Sequence, residues 1–203
     1  MKLIDKNVAR AISYKVGKFN KEHLEEEDFL KVEEISLNNR GLSGKLCDIK
    51  LDDLSLLPNL RALTLQYFVL DDEVIDLLNS IPQLGSLHLA SCTYRSNKEL
   101  KNESIKTLIL QSCKGSADKI NGTENFYVVG QEEGCDLSKL KGKKDIKRLF
   151  IQKSKVRGLA TITECANLET LNLDGSTIDD EKALESIKSR VKVSKKDNYT
   201  PIR

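Results

Sequence analysis

One short phrase occurs twice near the middle of the chain, and it limits the possible folds more than any other feature. Residues 84–92 read L-G-S-L-H-L-A-S-C, and residues 105–113 read I-K-T-L-I-L-Q-S-C. Because side chains alternate along a strand, the two apolar residues of each L-x-L face one way and the residue between them faces the other. Each copy therefore predicts a strand with one buried face, followed by a turn that holds the Cys.

Weaker copies of this pattern run along most of the chain. Aligned on the last apolar position of each strand, the copies fall at Leu37, Leu65, Leu89, Leu110, Val128, Ile151, Leu173 and Val193. A period of roughly 20 to 29 residues with this pattern is typical of leucine-rich repeats. The sequence therefore predicts an α/β fold: a right-handed solenoid with a curved parallel β-sheet on its concave face and helices and turns on its convex face.

The length of each repeat decides what its convex side can hold. Two long repeats contain acidic residues followed by apolar residues at helical spacing, which predicts helices over residues 72–78 and 180–187. Shorter repeats leave room only for loops or single turns, at residues 94–103 and 115–124.

The fifth repeat, residues 125–130, fits the pattern least well. Its first alignment places Tyr127 outward in the middle of the strand. An alignment one residue later places Tyr127 and Val129 inward, because a one-residue slip exchanges the two faces of a strand. The sequence leaves both registers open.

The first residues do not repeat, and they predict a helical cap over one end of the solenoid core. Asp5 is suited to the N-cap and Gly17 to the left-handed position after the helix. The apolar residues at helical spacing between them are Val8, Ala11, Ile12 and Val16. We expect one structural domain, with the cap at residues 1–31, the repeats at 32–194 and a frayed tail at 195–203.

The cap also carries a family resemblance. The phrase D-K-N-V-A-R-A-I at residues 5–12, a Glu-rich helix, and E-I-S-L-N-N-R-G-L at residues 34–42 resemble the cap and first repeat of bacterial leucine-rich repeat proteins of the internalin-like type. The resemblance implies this fold and a binding role. Secreted members of the group carry a signal peptide, and none is visible here. If Met1 is the native start, we expect a cytoplasmic protein.

Composition favours no special partner or compartment. Lys plus Arg is 33 and Asp plus Glu is 31, a formal charge of +2, which argues for no particular ligand. No run of eighteen apolar residues suggests a membrane span. Five cysteines without a C-x-x-C pair predict reduced thiols, and Cys92 and Cys113 are expected to be small buried hydrophobes. We expect a monomer.

The search for catalytic chemistry is negative. His23 and His88 are the only histidines, too few for a His-rich metal site. His88 is expected to point outward while Cys92 lies in the turn beyond, which is a poor geometry for a nucleophile pair. No phosphate-binding loop, dinucleotide fingerprint or G-x-S-x-G motif occurs. The sequence therefore predicts a protein without enzymatic activity and without a cofactor or metal.

The outward residues of the strands are the candidate binding site. The central column is predicted to be Ser36, Thr64, His88, Ile109, Tyr127, Phe150, Asn172 and Lys192. It is polar at both ends, with three large apolar residues in consecutive repeats between them, as in protein-binding surfaces. The predicted protein-binding residues are Thr64, Gln66, His88, Ile109, Gln111, Tyr127, Arg148, Phe150, Gln152 and Asn172. An adaptor or regulatory subunit is the expected role. The alternative to a binding site is that these apolar residues have no binding role, since isolated exposed apolar residues are common. In that case a loop from repeat five or the C-terminal tail would fold over them.

Charge supplies a second hypothesis. Residues 22–34 contain seven carboxylates, and residues 139–157 contain nine basic residues against Asp145 alone. Together with Tyr127 and Phe150, the basic segment suggests RNA binding through phosphate contacts and base stacking. We nevertheless expect a protein partner rather than a nucleic acid, because the basic run falls largely in a loop before strand six.

Overall fold

The computed structural model describes residues 4–18, 23–41, 44–115, 123–131 and 133–197. Its α-helices are α1 (Lys6–Lys15), α2 (Glu26–Leu30), α3 (Asp72–Ser80) and α4 (Glu181–Ile187). Its strands are β1 (Glu34–Asn38), β2 (Ala62–Gln66), β3 (Val69–Leu70), β4 (Ser86–Ala90), β5 (Thr93–Tyr94), β6 (Thr107–Gln111), β7 (Asn125–Val129), β8 (Cys135–Asp136), β9 (Arg148–Gln152), β10 (Lys155–Arg157), β11 (Thr170–Asn172), β12 (Thr177–Ile178) and β13 (Lys192–Ser194).

The long sheet contains one strand from each repeat. Its order is β1-β2-β4-β6-β7-β9-β11-β13, and every neighbouring pair is parallel. The inward residues of successive strands stack as columns of buried leucines and their equivalents. Stacking repeats in this way gives each strand its apolar core, so the predicted leucine-rich repeat solenoid is confirmed.

The fifth strand takes the first of the two predicted registers. Phe126 and Val128 are 2% and 0% exposed, whereas Tyr127 and Val129 are only partly buried. β7 pairs with β6 so that Phe126 lies beside Leu108. Phe126 is the largest fully buried side chain of the described core, so it carries much of the packing in this repeat.

The last strand differs from the prediction by two residues. Val193 pairs with Leu171 rather than with the predicted Leu173, and Asn172 pairs with Ser194. The central column therefore ends at Ser194, and the prediction of Lys192 there was wrong. The hydroxyl of Ser194 donates to the buried Asp174 carboxylate at 2.8 Å, an attachment that fixes this register and that an apolar pattern cannot reveal.

The convex side alternates helices with tighter turns. Helices α3 and α4 lie in the predicted long repeats, and the side chains of Asp71 and Asp180 cap their first turns. Other repeats hold 3₁₀ turns at Asp52–Leu56, Leu137–Leu140 and Leu159–Glu164. Residues 94–103 contain no helix, as predicted, although Tyr94 belongs to β5. Most of 115–124 lies outside the described residues. Short parallel strands form two further sheets, β3-β5 and β12-β10-β8, which no sequence pattern predicted.

Helix α1 covers the core at its N-terminal end. Asp5 accepts hydrogen bonds from the backbone N–H groups of Asn7 and Val8, and Gly17 has φ of 76° just beyond the helix. Val8 and Ile12 are fully buried. The helix and its two predicted ends are therefore confirmed, while the boundaries at residues 31 and 195 stay predictions. The predicted frayed tail falls largely outside the described residues.

Candidate protein-binding surface

Strand pairing aligns the outward residues of the long sheet into one concave surface. The central column is Ser36, Thr64, His88, Ile109, Tyr127, Phe150, Asn172 and Ser194. Nine of the predicted binding residues are partly or fully exposed on this surface: Thr64, Gln66, His88, Ile109, Gln111, Tyr127, Arg148, Phe150 and Asn172. Parallel pairing brings them within reach of a single ligand, because neighbouring strands lie about 4.8 Å apart.

An apolar patch occupies the middle of this surface. Ile109, Tyr127 and Phe150 are register partners on three consecutive strands, and we call them the concave patch. The rings of Tyr127 and Phe150 are stacked, with centroids 4.8 Å apart and planes inclined by 19°. The stack holds both rings in fixed positions, so less side-chain entropy would be lost when a partner covers them.

Polar groups surround the concave patch. Arg148 and Gln111 are exposed, and His88 lies next to Ile109 in the column. Burial lowers the pKa of His88, although a hydrogen bond with Gln111 acts in the opposite direction. The imidazole is therefore neutral near pH 7, and its Nε2 is buried without a hydrogen-bond partner among the described residues. The N-terminal side of the patch is thus polar but uncharged.

Gln152 does not belong to the exposed surface. The sequence predicted it as a binding residue because strand alternation turns it outward, yet it is only 2% exposed. Its Nε2 donates to Asn172 Oδ1 at 3.1 Å, and the Asn172 amide in turn donates to Asp174. Alternation gives the direction of a side chain but not the neighbours that cover it, so the expectation that Gln152 is exposed was wrong.

The basic run of residues 139–157 is divided among different surroundings. Lys141 forms an ion pair with Glu164 at 3.4 Å, and Lys147 forms one with Glu124 at 2.8 Å. Arg148 lies in β9 on the concave surface, two residues before Phe150. These contacts neutralise part of the run and leave Arg148 as the basic group beside the concave patch.

The repeat cysteines Cys92 and Cys113 lie in the turns that follow β4 and β6. The thiol of Cys92 donates to the carbonyl of Leu65, and that of Cys113 donates to the carbonyl of Leu89, each in the preceding repeat. Cys92 is fully buried as predicted, whereas Cys113 is only partly buried. A hydrogen bond with Cys113, together with burial, raises the pKa of the Cys92 thiol.

We expect a thiol reagent to distinguish these cysteines. In the folded protein at pH 8, Cys113 should react with iodoacetamide well before Cys92, because only a thiolate that the reagent can reach is alkylated. Burial also raises the pKa of Cys135 to about 12, so Cys135 should resist as well. Peptide mass mapping after timed labelling measures each rate. Equal labelling of Cys92 and Cys113 in the native state would contradict this placement.

The described residues contain no cluster of three His, Cys, Asp or Glu side chains suited to a metal ion. In the same ranges, none of the helices has the length and apolar character that crossing a membrane requires.

Similar proteins are found through structure and not through sequence. No protein-family model matches the sequence, and no curated protein matches it. The structure of an internalin (InlF) from Listeria monocytogenes str. 4b F2365 is similar, with a TM-score of 0.68 and 18% identity over 98% of this chain and 58% of that one. An internalin C2 (InlC2) from the same strain gives a TM-score of 0.51 and 19% identity over 96% of this chain and 84% of that one.

These similarities concern the fold. This chain spans less than two thirds of the InlF chain, at 58%. At identities of 18% and 19% the fold is shared, so the leucine-rich repeat architecture that the repeats predicted and the internalin-like resemblance implied is confirmed. Function has to be argued from the surface of this chain itself.

Proposed function

We propose that this chain is a non-enzymatic protein-binding module that holds a partner on its concave surface, as an adaptor or regulatory subunit. The observation that carries the proposal is the concave patch, in which Ile109 and the stacked rings of Tyr127 and Phe150 stand side by side on neighbouring strands. Aromatic side chains surrounded by polar groups are the usual anchors of protein interfaces.

Fold similarity supports the same proposal. Leucine-rich repeats of this kind build a long, rigid sheet whose outward residues can change without disturbing the core. The exposed polar residues Gln111 and Arg148 give the rim hydrogen-bonding groups around the apolar centre. A cytoplasmic location and a monomeric state stay predictions from the sequence.

RNA binding is the alternative function, because stacked aromatic rings are also typical of RNA-binding surfaces. Bases stack on aromatic rings, and Arg148 could contact a phosphate beside them. Lys141 and Lys147 are held in ion pairs, and much of the basic run lies in the segment before β9 rather than beside the aromatic stack, so we favour a protein. A generic single-stranded RNA should bind weakly and dissociate as the salt concentration rises. RNA binding that is tight and persists at high salt would favour the alternative.

Replacing Phe150 by Ser should reduce partner binding at least tenfold, or about 1.4 kcal/mol. Folding should change far less, since the ring is only partly buried and its stacking is worth about 0.5 to 1.5 kcal/mol. The measurement is quantitative mass spectrometry of proteins captured from a lysate of the source organism by the wild type and by F150S.

Two controls make this experiment decisive. Leu149→Ala alters the buried neighbour, 1% exposed, and should lower the free energy of unfolding by about 2 to 5 kcal/mol. Leu30→Ser removes an exposed leucine from α2, far along the chain from the patch, and should leave capture unchanged. If Phe150→Ser destabilises the protein as much as Leu149→Ala, or if no captured protein depends on Phe150, the concave patch is not the binding site.

A further inference from the structure

A groove separate from the concave patch lies on the outer side of the first two repeats. Residues 46–52 form one wall, and β3 with the first two turns of α3 forms the other. The groove encloses about 460 Å³, with the buried side chains of Ile49 and Phe68 at its base. None of the residues of the concave patch contributes to it, so it is independent of the proposed function.

Both walls of this groove carry exposed apolar side chains. Leu46 is 64% exposed on one wall and Val69 is 36% exposed on the other. Val74 and Leu77 on α3 are partly exposed and also line the groove. A single exposed leucine is ordinary, but four apolar side chains around one groove form a surface that burial by a partner would stabilise.

The backbone of the first wall is fixed, so the groove does not depend on a loose loop. Leu46 forms an isolated antiparallel bridge with Arg40, and the N–H of Cys47 donates to the carbonyl of Asn39 at 2.8 Å. The side-chain oxygen of Asn39 accepts from the N–H of Ile49 at 3.1 Å. A groove that is already ordered binds with a smaller entropy cost.

Both walls are acidic. Asp48 and Asp52 line one wall and Asp71 and Glu73 the other, against Lys50 as the one basic residue lining the groove in the described part of the chain. Asp71 caps α3 by accepting from the N–H of Val74, which uses part of its hydrogen-bonding capacity. The other three carboxylates are exposed, and the described residues contain no ion-pair partner for them.

From this combination we propose that the groove binds a positively charged, amphipathic segment of a partner protein. Apolar side chains of the segment would cover Leu46 and Val69, while its Lys or Arg residues would approach Asp52 and Glu73 from the rims. Neighbouring carboxylates of one sign raise the local concentration of a cationic segment and disfavour an acidic one. The groove would thus select its partner by charge.

A peptide pair tests the proposal. One peptide of about 14 residues carries Leu at positions i, i+3, i+4 and i+7 with Lys elsewhere, and its partner peptide carries Glu in place of Lys. The Lys peptide should bind the wild type saturably in fluorescence anisotropy, and raising the salt concentration should weaken it. The Glu peptide should bind at least tenfold more weakly. Backbone amide shifts in NMR spectra should change at residues 46–52 and 69–77.

A matched pair of variants locates the binding. The double variant Leu46→Ser with Glu73→Lys should lower the affinity for the Lys peptide at least tenfold. Leu30→Ser with Glu27→Lys makes the same exchange of exposed residues on α2 and should leave binding unchanged. Circular dichroism checks that both variants fold.

Several results would overturn the proposal. Binding that tolerates the groove variant, shifts that map elsewhere, equal affinity for the Glu peptide, or no binding at all would each exclude a basic segment as the ligand. Sedimentation that shows self-association of the wild type, abolished by the groove variant, would instead assign the groove to a second copy of this chain.

Discussion

Replacing Phe126 by Ala is expected to lower the free energy of unfolding by about 3 to 5 kcal/mol, since truncating a buried Phe is among the most damaging changes a core can receive. The side chain is 2% exposed and lies beside Leu108 in the stacked core. Its loss removes a large apolar area and leaves a cavity that parallel strands fixed on both sides cannot close. Urea unfolding followed by far-UV circular dichroism measures the change.

The neighbouring residue supplies the control for this register. Tyr127→Ala should cost less than about 2 kcal/mol, because the ring is partly exposed and loses mainly its stacking on Phe150. If Tyr127→Ala proved the more damaging substitution, the strand would have to be shifted by one residue. The proposed concave patch would then lose its central ring.

The repeat pattern was sufficient to predict most of the fold because burial enforces it. A strand of this solenoid is covered on one face by the core, so each inward position must be apolar and the period of two becomes visible in the sequence. The helices α3 and α4 were predictable for a second reason, since their repeats are long enough to hold a helix and contain acidic first turns. Local pattern and tertiary burial agree in these segments.

The pattern failed where polar contacts take the place of apolar ones. At the C-terminal end, V-K-V at residues 191–193 resembles another L-x-L, but hydrogen bonds to Asp174 set the register instead. Gln152 was misplaced for the same reason, because its burial depends on side chains from the next repeat. Such contacts join residues about twenty positions apart, and no local pattern records them.

The two proposed binding surfaces differ in how far they could be predicted. The concave patch follows from strand register alone, so Ile109, Tyr127 and Phe150 were predicted together. The acidic groove depends on the irregular segment 46–52, whose path between repeats has no periodic signal. Leu46 and Val69 are 23 residues apart, and only the structure shows that they line the same groove. If both proposals hold, the chain would bind two proteins on separate faces.

The carboxylate of Asp174 joins the last strand to the rest of the long sheet. It is 2% exposed, and its Oδ1 accepts from the Ser194 hydroxyl at 2.8 Å and from the Lys196 N–H at 2.9 Å. Its Oδ2 accepts from the Asn172 amide at 2.9 Å. Three donors from two segments of the chain therefore meet on one charged group.

Asp174→Ala should lower the free energy of unfolding by about 2 kcal/mol, because three donors lose a charged acceptor and hydrogen bonds to charged groups are worth about 1.5 to 3 kcal/mol each. The donors belong to residues that are partly exposed (Asn172 and Ser194) or exposed (Lys196), so water replaces part of what is lost. The loss should concentrate in β13, so amide hydrogen exchange of residues 191–197 should accelerate most. Asp145→Ala changes an exposed carboxylate and should have little effect. Uniform acceleration across the solenoid, or none, would show that Asp174 does not fasten the last strand.

The pH dependence of stability distinguishes the contribution of the Asp174 charge from that of its packing. Burial by itself would raise the pKa of this carboxyl, but the hydrogen bonds from Ser194, Asn172 and Lys196 together outweigh burial and hold the pKa below its ordinary value. A carboxyl whose pKa is lower in the folded protein than in the unfolded chain stabilises the folded state at pH values above its pKa in the unfolded chain. This contribution is lost as the pH falls through its pKa in the folded protein. As the pH falls from about 5 through the ordinary carboxyl pKa of 3.8 and on toward the folded pKa, the wild type should therefore lose more stability than D174A, and the difference between the two should narrow. A constant difference across this range would mean that the carboxylate acts through packing rather than through its charge.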